Sequence, residues 1–392
     1  MSLISFSPVR HSLPFNGPIS TLKLAAIALS SLIFSSLPAL SQTKPATRTH
    51  IVWDKSSLRL VARGGNYGRI IRLKNGRLLS IYERGRAAQT RQSSDEGKTW
   101  SEEIEVARSP LGSLANPEAL QTKDGSILVF TNLRPSRNQN PAPNYAICVS
   151  RSVDGGNTFA PLQTLFKAGT EGDNGCWEPV ALQLPSGEIQ LFFADESPYI
   201  QTSEQQITLL RSHDNGLHWS APEAVSFRAR HRDGMPVPVR LPNGDLAFAI
   251  EDNGLSGAFK PTIIHTTKND LWKSGTITAT SPHRWGALLT PLAASVYAGA
   301  PYLRVLRNGE TALSFQQADD GNMDHSKMTV CIGDKEARNF TNPAYPFDGF
   351  NTSAQLWNAL FVKDKNTLTA ITSTRVNNVA GLWTIEGRIV RN

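Results

Sequence analysis

Two acidic stretches carry residue types that can do chemistry. Residues 172–179 read Gly-Asp-Asn-Gly-Cys-Trp-Glu-Pro, and residues 249–254 read Ala-Ile-Glu-Asp-Asn-Gly. In each, a glutamate (Glu178 or Glu251) ends an otherwise apolar run. A glutamate at a strand end is most often a solvated cap. Two that face one axis from neighbouring units mean something else, because cleavage of a glycosidic bond needs a pair of carboxyl groups. One is kept protonated to serve the departing oxygen, and the other is ionised to attack or stabilise the sugar cation. Trp177, next to Glu178, could stack on a sugar and desolvate its neighbour. Desolvation raises a carboxyl pKa, which suits the acid role.

A repeat architecture would bring positions 178 and 251 together. An apolar strand, a short polar turn and a second apolar strand recur six times, centred on Gly76, Gly125, Gly187, Gly244, Gly309 and Asn366. The spacings are 49, 62, 57, 65 and 57 residues, room for about four strands each. Asn366 is expected to take the positive φ that glycine takes elsewhere. A second repeat, Ser-x-Asp-x-Gly-x-Thr-aromatic, fills residues 93–100 and 152–159 and, more loosely, 212–219. Remnants lie near 268–272 and 331–340. Its Ser and Asp side chains can satisfy backbone N–H groups inside a sealed turn. The expected fold is all-β, a six-bladed β-propeller with four-stranded antiparallel blades, one domain over residues 42–392. About two strands remain after residue 359, so residues 49–61 should supply one that closes the ring. A β-helix or a pair of sandwiches is the competing architecture.

The register of the repeat locates a site. Eight residues before each turn centre stand Gly68, Pro117, Pro179, Pro236, Pro301 and Asn358, where the chain should enter the innermost strand. One residue earlier, Tyr67, Asn116, Glu178, Met235, Ala300 and Trp357 should ring the mouth of the central channel. Seven residues after each centre, Glu83, Asn132, Ala194, Glu251, Gln316 and Ser373 return to the same rim. The Ser-Asp turns then lie on the opposite face. Glu178 and Glu251 are the candidate catalytic residues. Asn66, Tyr67, Arg69, Glu83, Arg84, Asn116, Trp177, Arg232, Asp233, Tyr302 and Trp357 are the candidate substrate-binding residues. Glu118, Arg134, Asp173, Asn174, Asp195, Glu196, Asp252 and Asn253 belong to the same polar rim.

The chain has 392 residues and a formal charge of +7. Its basic residues are scattered, with no run of Lys and Arg interleaved with aromatics, so nucleic acid is not an expected partner. Three widely spaced cysteines allow at most one bridge and form no metal pattern, and no cofactor or metal is expected. Residues 24–40 are apolar and small, follow Arg10, His11 and Lys23, and end near Ala39-Leu40-Ser41. They read as a signal peptide over residues 1–41, giving a secreted or periplasmic protein with no membrane association after cleavage. A short transmembrane anchor is the alternative, disfavoured by Pro38 and the serines. A monomer is expected.

At residues 67–79, Trp-Glu-Pro (177–179) and Ala-Ile-Glu (249–251), the chain resembles the sialidase superfamily of Asp-box, or BNR-repeat, propellers. Within it, the resemblance is to the secreted exo-arabinanases of glycoside hydrolase family 93, and it extends over about residues 50–392. It implies a retaining, exo-acting glycoside hydrolase with a carbohydrate substrate, Glu178 as general acid/base and Glu251 as nucleophile. Exo-α-sialidase activity is the alternative. Sialidases carry Phe/Tyr-Arg-Ile-Pro, whose arginine holds a carboxylate; here Asn66 fills the matching position, and Arg69 lies three residues off it. Their tyrosine nucleophile would be Tyr302 or Tyr345, and Arg69, Arg84, Arg134, Arg232 and Arg304 would suit an anionic sugar. A non-catalytic carbohydrate-binding propeller is the third reading, since fold alone does not decide function.

Overall fold

The computed structural model describes residues 49–136 and 139–391; the leader expected over residues 1–41 lies outside them. Short β-branched and aromatic runs, punctuated by glycine turns, form six antiparallel sheets of four strands each. Blade 1 opens with Asn66–Arg72, blade 2 with Gly112–Gln121 and blade 3 with Cys176–Gln183. Blades 4, 5 and 6 open with Asp233–Arg240, Tyr297–Val305 and Leu356–Val362. These six inner strands touch in ring order, the last against the first, around a central axis. The fold is the six-bladed β-propeller that the repeat implies.

The second strands are apolar because both of their faces are covered. In blade 3, Ile189–Asp195 is buried along its whole length, and in blade 4 Leu246–Asp252 is buried except at Glu251. Rings from adjacent blades interlock between the sheets, as Phe192, Phe248 and Trp272 do between blades 3 and 4. Two short 3-10 turns, Gly172–Asn174 and Met323–His325, are the helical segments among the described residues. None of the described helices is long and apolar enough to cross a membrane. Cys148, Cys176 and Cys331 are buried and unbridged. Burial pushes the Cys148 thiol up to about 11.

Ring closure joins the two ends of the described chain. Leu356–Val362, Thr367–Val376 and Val379–Val390 make three strands of blade 6, not two, and His50–Arg63 pairs with the last of them as its outermost strand. Two further expectations change. The five turn glycines have φ between 86° and 103°, but Asn366 is absent from the left-handed residues. Its turn is held by Asp364, whose Oδ1 accepts from Asn366 N–H at 2.7 Å. The prolines do not start the inner strands either. They sit inside them, at a bulge that leaves the missing N–H unneeded.

Candidate functional site

Each inner strand is interrupted at the same point. Pairing with the second strand shifts between Asn66 and Arg69, Ala115 and Glu118, Trp177 and Val180, Gly234 and Val237, Gly299 and Tyr302, and Leu356 and Ala359. Within these bulges Tyr67, Asn116, Glu178, Met235, Ala300 and Trp357 all take φ between 47° and 55°. Left-handed backbone is costly for residues with a Cβ, so six repeats of it require support from their surroundings. Neighbouring blades provide it. The bulge N–H of Tyr67 donates to Ser373 Oγ (2.9 Å), that of Asn116 to Glu83 Oε2 (3.2 Å) and that of Ala300 to Glu251 Oε2 (2.8 Å). Trp357 N–H donates to Gln316 Oε1. Four of the six rim residues expected at the ends of the second strands, Glu83, Glu251, Gln316 and Ser373, are therefore staples between blades, and Asn132 and Ala194 are not.

Between blades 3 and 4 the rim opens into a hollow of about 370 Å³. Glu178 and Glu251 both line it, with Trp177, Glu196, Gln205 and Arg232 around them and Asp173 and Phe259 at the edge. The two carboxylates come from different structural devices, a bulge and a strand end. Glycines make room for Glu251: a Cβ at Gly234 would meet its Oε1 at 3.0 Å, and one at Gly299 would meet Oε2 at 2.7 Å. The Trp177 ring packs edge-on against Tyr145 (5.1 Å) and faces the Arg134 guanidinium (5.2 Å). Arg134 in turn donates to Asn116 Oδ1 at 2.5 Å.

Electrostatics separate the two glutamates. Burial and then the Glu251 charge push Glu178 up to about 8, against the pull of Arg134 and Arg232. Glu251 is also raised by burial, but Ala300 N–H and Arg232 favour its ionised form. Glu196 is ion-paired with Arg232 and accepts from Gln205 Nε2 at 2.9 Å; burial nonetheless raises it. Carboxyl groups near one another but differently solvated can divide acid and base roles. Among the described residues, no group of three or more His, Cys, Asp and Glu could hold a metal ion.

Other residues expected at the rim lie elsewhere. Arg69 and Tyr302 are each 1% exposed and fill the axis below the mouth. Arg69 pairs with Glu118 at 3.3 Å and lies over the rings of Tyr67 (3.9 Å) and Tyr302 (4.8 Å). Tyr302 donates to Glu118 Oε2 at 3.2 Å and also contacts Arg304. Tyr67 and Trp357 cap this plug with tilted rings 6.0 Å apart. Asp233 faces away from the hollow, because alternation along its strand sends Arg232 inward and Asp233 into the blade. There it binds Arg284 at 2.5 and 2.8 Å, and Arg284 also holds Asp252 at 2.6 Å. Arg84 is half exposed and pairs with Glu103 at 2.5 Å. Asn66 donates to Glu83 at 2.5 Å, on the blade 1 side of the rim. Asn174 accepts from Glu171 N–H within the loop before blade 3 (3.1 Å), Asp195 accepts from Ser197 N–H (3.0 Å), and Asn253 accepts from Arg232 N–H (2.8 Å). Tyr345 is exposed beyond the outer strand of blade 5. Gln205, Phe259 and Tyr297 are the site residues that sequence reasoning missed. The first two lie at the ends of the loops joining second to third strands, outside the repeat's register.

A family model described as a BNR repeat-like domain matches residues 136–387. No curated protein matches the chain by sequence. Among solved structures, the chain is similar to a Dyadobacter fermentans protein of unknown function, with TM-score 0.63 and 16% identity over 88% of this chain and 100% of that one. It is also similar to a family 93 α-L-arabinofuranosidase of Fusarium graminearum solved with arabinobiose (TM-score 0.57, 19% identity, 84% and 93% covered). A sialidase from Streptococcus pneumoniae is a further match (TM-score 0.56, 13% identity, 85% and 70% covered). At these identities the likeness is one of fold.

Proposed function

The chain belongs to the family of BNR repeat-like domains, and we propose that it is a retaining, exo-acting glycoside hydrolase of the exo-arabinanase type. The observation that carries this reading is the shared hollow of Glu178 and Glu251, one carboxyl held up to about 8 and the other hydrogen-bonded by Ala300 N–H at 2.8 Å. Glu178 gives its proton to the glycosidic oxygen as the bond from that oxygen to the anomeric carbon breaks. Glu251 attacks the same carbon and forms a glycosyl ester. Glu178, now a carboxylate, then takes a proton from water as the water oxygen displaces Glu251. Trp177 forms an apolar wall against which a sugar face can stack.

The charge of the hollow favours a neutral sugar over sialic acid. With Glu178 holding its proton, Glu196, Glu251 and Asp173 still outnumber Arg232, which is already committed to Glu196. A sugar carboxylate would enter against this field. The described tyrosines proposed as sialidase nucleophiles, Tyr302 and Tyr345, lie outside the hollow. Export through residues 1–41 belongs to the same reading, as the route of an enzyme acting on extracellular polysaccharide.

The test is a panel of aryl glycosides, arabinofuranoside and sialoside first, with arabinan as polymer. Release of aglycone from the arabinofuranoside, abolished in Glu178→Gln and Glu251→Gln, is expected. Cleavage of the sialoside alone would transfer the protein to the sialidases. Sugar binding without any turnover would make it a binding propeller.

A further inference from the structure

Glu251 has a neighbour that the two-carboxylate reading does not use. Tyr297 begins the inner strand of blade 5, two residues before Gly299 and three before Ala300. A Cβ on Gly299 would collide with the Tyr297 hydroxyl as well as with Glu251 Oε2. The phenol oxygen and the carboxylate oxygen therefore bound one small space that only glycine leaves open. The Tyr297 ring stands edge-on to Phe259, 6.4 Å away, at the wall of the hollow. From the other side its hydroxyl accepts from Gln316 Nε2 at 3.4 Å, and Gln316 Oε1 is itself occupied by Trp357 N–H. With the acceptor side of the phenol satisfied by an amide, its proton is free to point at Glu251.

We propose that Tyr297 is a positioning residue for Glu251: the two side chains are not hydrogen-bonded in this structure, and a small rotation into the gap left by Gly299 lets the phenol donate to the Glu251 carboxylate. Together with Ala300 N–H on the same oxygen (2.8 Å), it would fix the carboxylate in one rotamer and favour its ionised form. Hydrogen bonds of this kind tighten as the charge they serve develops. Burial, and after it the Glu251 and Glu178 charges, oppose ionisation of the phenol, so Tyr297 serves as a donor and not as a nucleophile. The inference rests on the hydrolase reading for its functional meaning, but its geometry can be tested without turnover.

The charged and titratable groups facing Glu251 are Glu178, Arg232 and Tyr297 itself, and the first two are unchanged in Tyr297→Phe. Carboxyl ¹³C titration of the glutamates, with Glu251 assigned by its loss in Glu251→Gln, reads the carboxylate directly. Tyr297→Phe is expected to raise the Glu251 midpoint by about half a pH unit or more, as loss of one donor to an anion requires. In the wild-type protein the Tyr297 ¹³Cζ resonance is expected to step at the Glu251 midpoint, and to lose that step in Glu251→Gln. An unmoved Glu251 midpoint, or a ¹³Cζ signal indifferent to Glu251, overturns the proposal whether or not any glycoside is cleaved. If the arabinofuranoside is hydrolysed, Tyr297→Phe should lower kcat about tenfold or more, leave KM nearly unchanged and move the acidic limb of the pH profile upward. A wild-type kcat and profile would also overturn it.

Discussion

Burial and the nearby Glu251 charge push Glu178 up to about 8, and two consequences follow at the scale of this residue. Activity that depends on its proton should persist at neutral pH and fall as pH rises through about 8, which a kcat/KM profile would reveal. Because the folded state holds a proton that the unfolded chain releases near the ordinary glutamate range, Glu178 lowers stability progressively as pH rises from about 5 to about 8. Glu178→Gln should flatten that decline and raise the melting temperature at pH 8 while lowering kcat by about 10²–10⁴-fold. A variant equally active at pH 7 would remove the acid role. The positions of Glu178 and Glu251 were legible because each sits at a fixed distance from a turn glycine. Arg69, Tyr302 and Asp233 were misread for one reason. Counting residues gives depth along a strand but not the side of it: the bulges at residues 67 and 300 reset the alternation just before Arg69 and Tyr302, and Asp233 lies ahead of the bulge of its own strand. Arg69 and Tyr302 thus point into the axis, and Asp233 turns toward Arg284.

At the scale of elements, the Ser-Asp turns are structural and lie away from the hollow. Asp154 accepts from Asn157 N–H (3.0 Å), Thr158 N–H (3.0 Å), Thr158 Oγ1 (2.6 Å) and Ser152 Oγ (2.7 Å). The same network around Asp95 holds its carboxyl down to about 2. A carboxylate lowered in the folded state adds stability above its unfolded range and loses it as pH falls. Asp95→Ala should lower the melting temperature at pH 7, and the difference from wild type should shrink between about pH 4 and pH 2. Asp154→Ala should do likewise, with turnover unchanged in both; lost activity at unchanged melting would contradict the structural role. These turns were legible in full because serine, aspartate and glycine there act on their own backbone within a few residues. The blade-to-blade staples were not, since Glu251 and Ala300 are 49 residues apart and no local pattern marks their meeting.

For the whole molecule, Arg69, Glu118 and Tyr302 form a buried plug that ties blades 1, 2 and 5 together across the axis. Glu118→Ala leaves the Arg69 guanidinium buried without its partner and should cost about 3–5 kcal/mol, measured as a lower denaturation midpoint. The hollow lies one blade away, so the surviving folded fraction should bind sugar as before. Closure by His50–Arg63 was anticipated from a shortage of strands at the far end, although the number left there was undercounted. Its pairing with Val379–Val390 has a temporal meaning too. The first described strand meets its partner only after more than three hundred residues have followed it. Closure of the ring is therefore governed by contacts of very long sequence separation and is correspondingly slow.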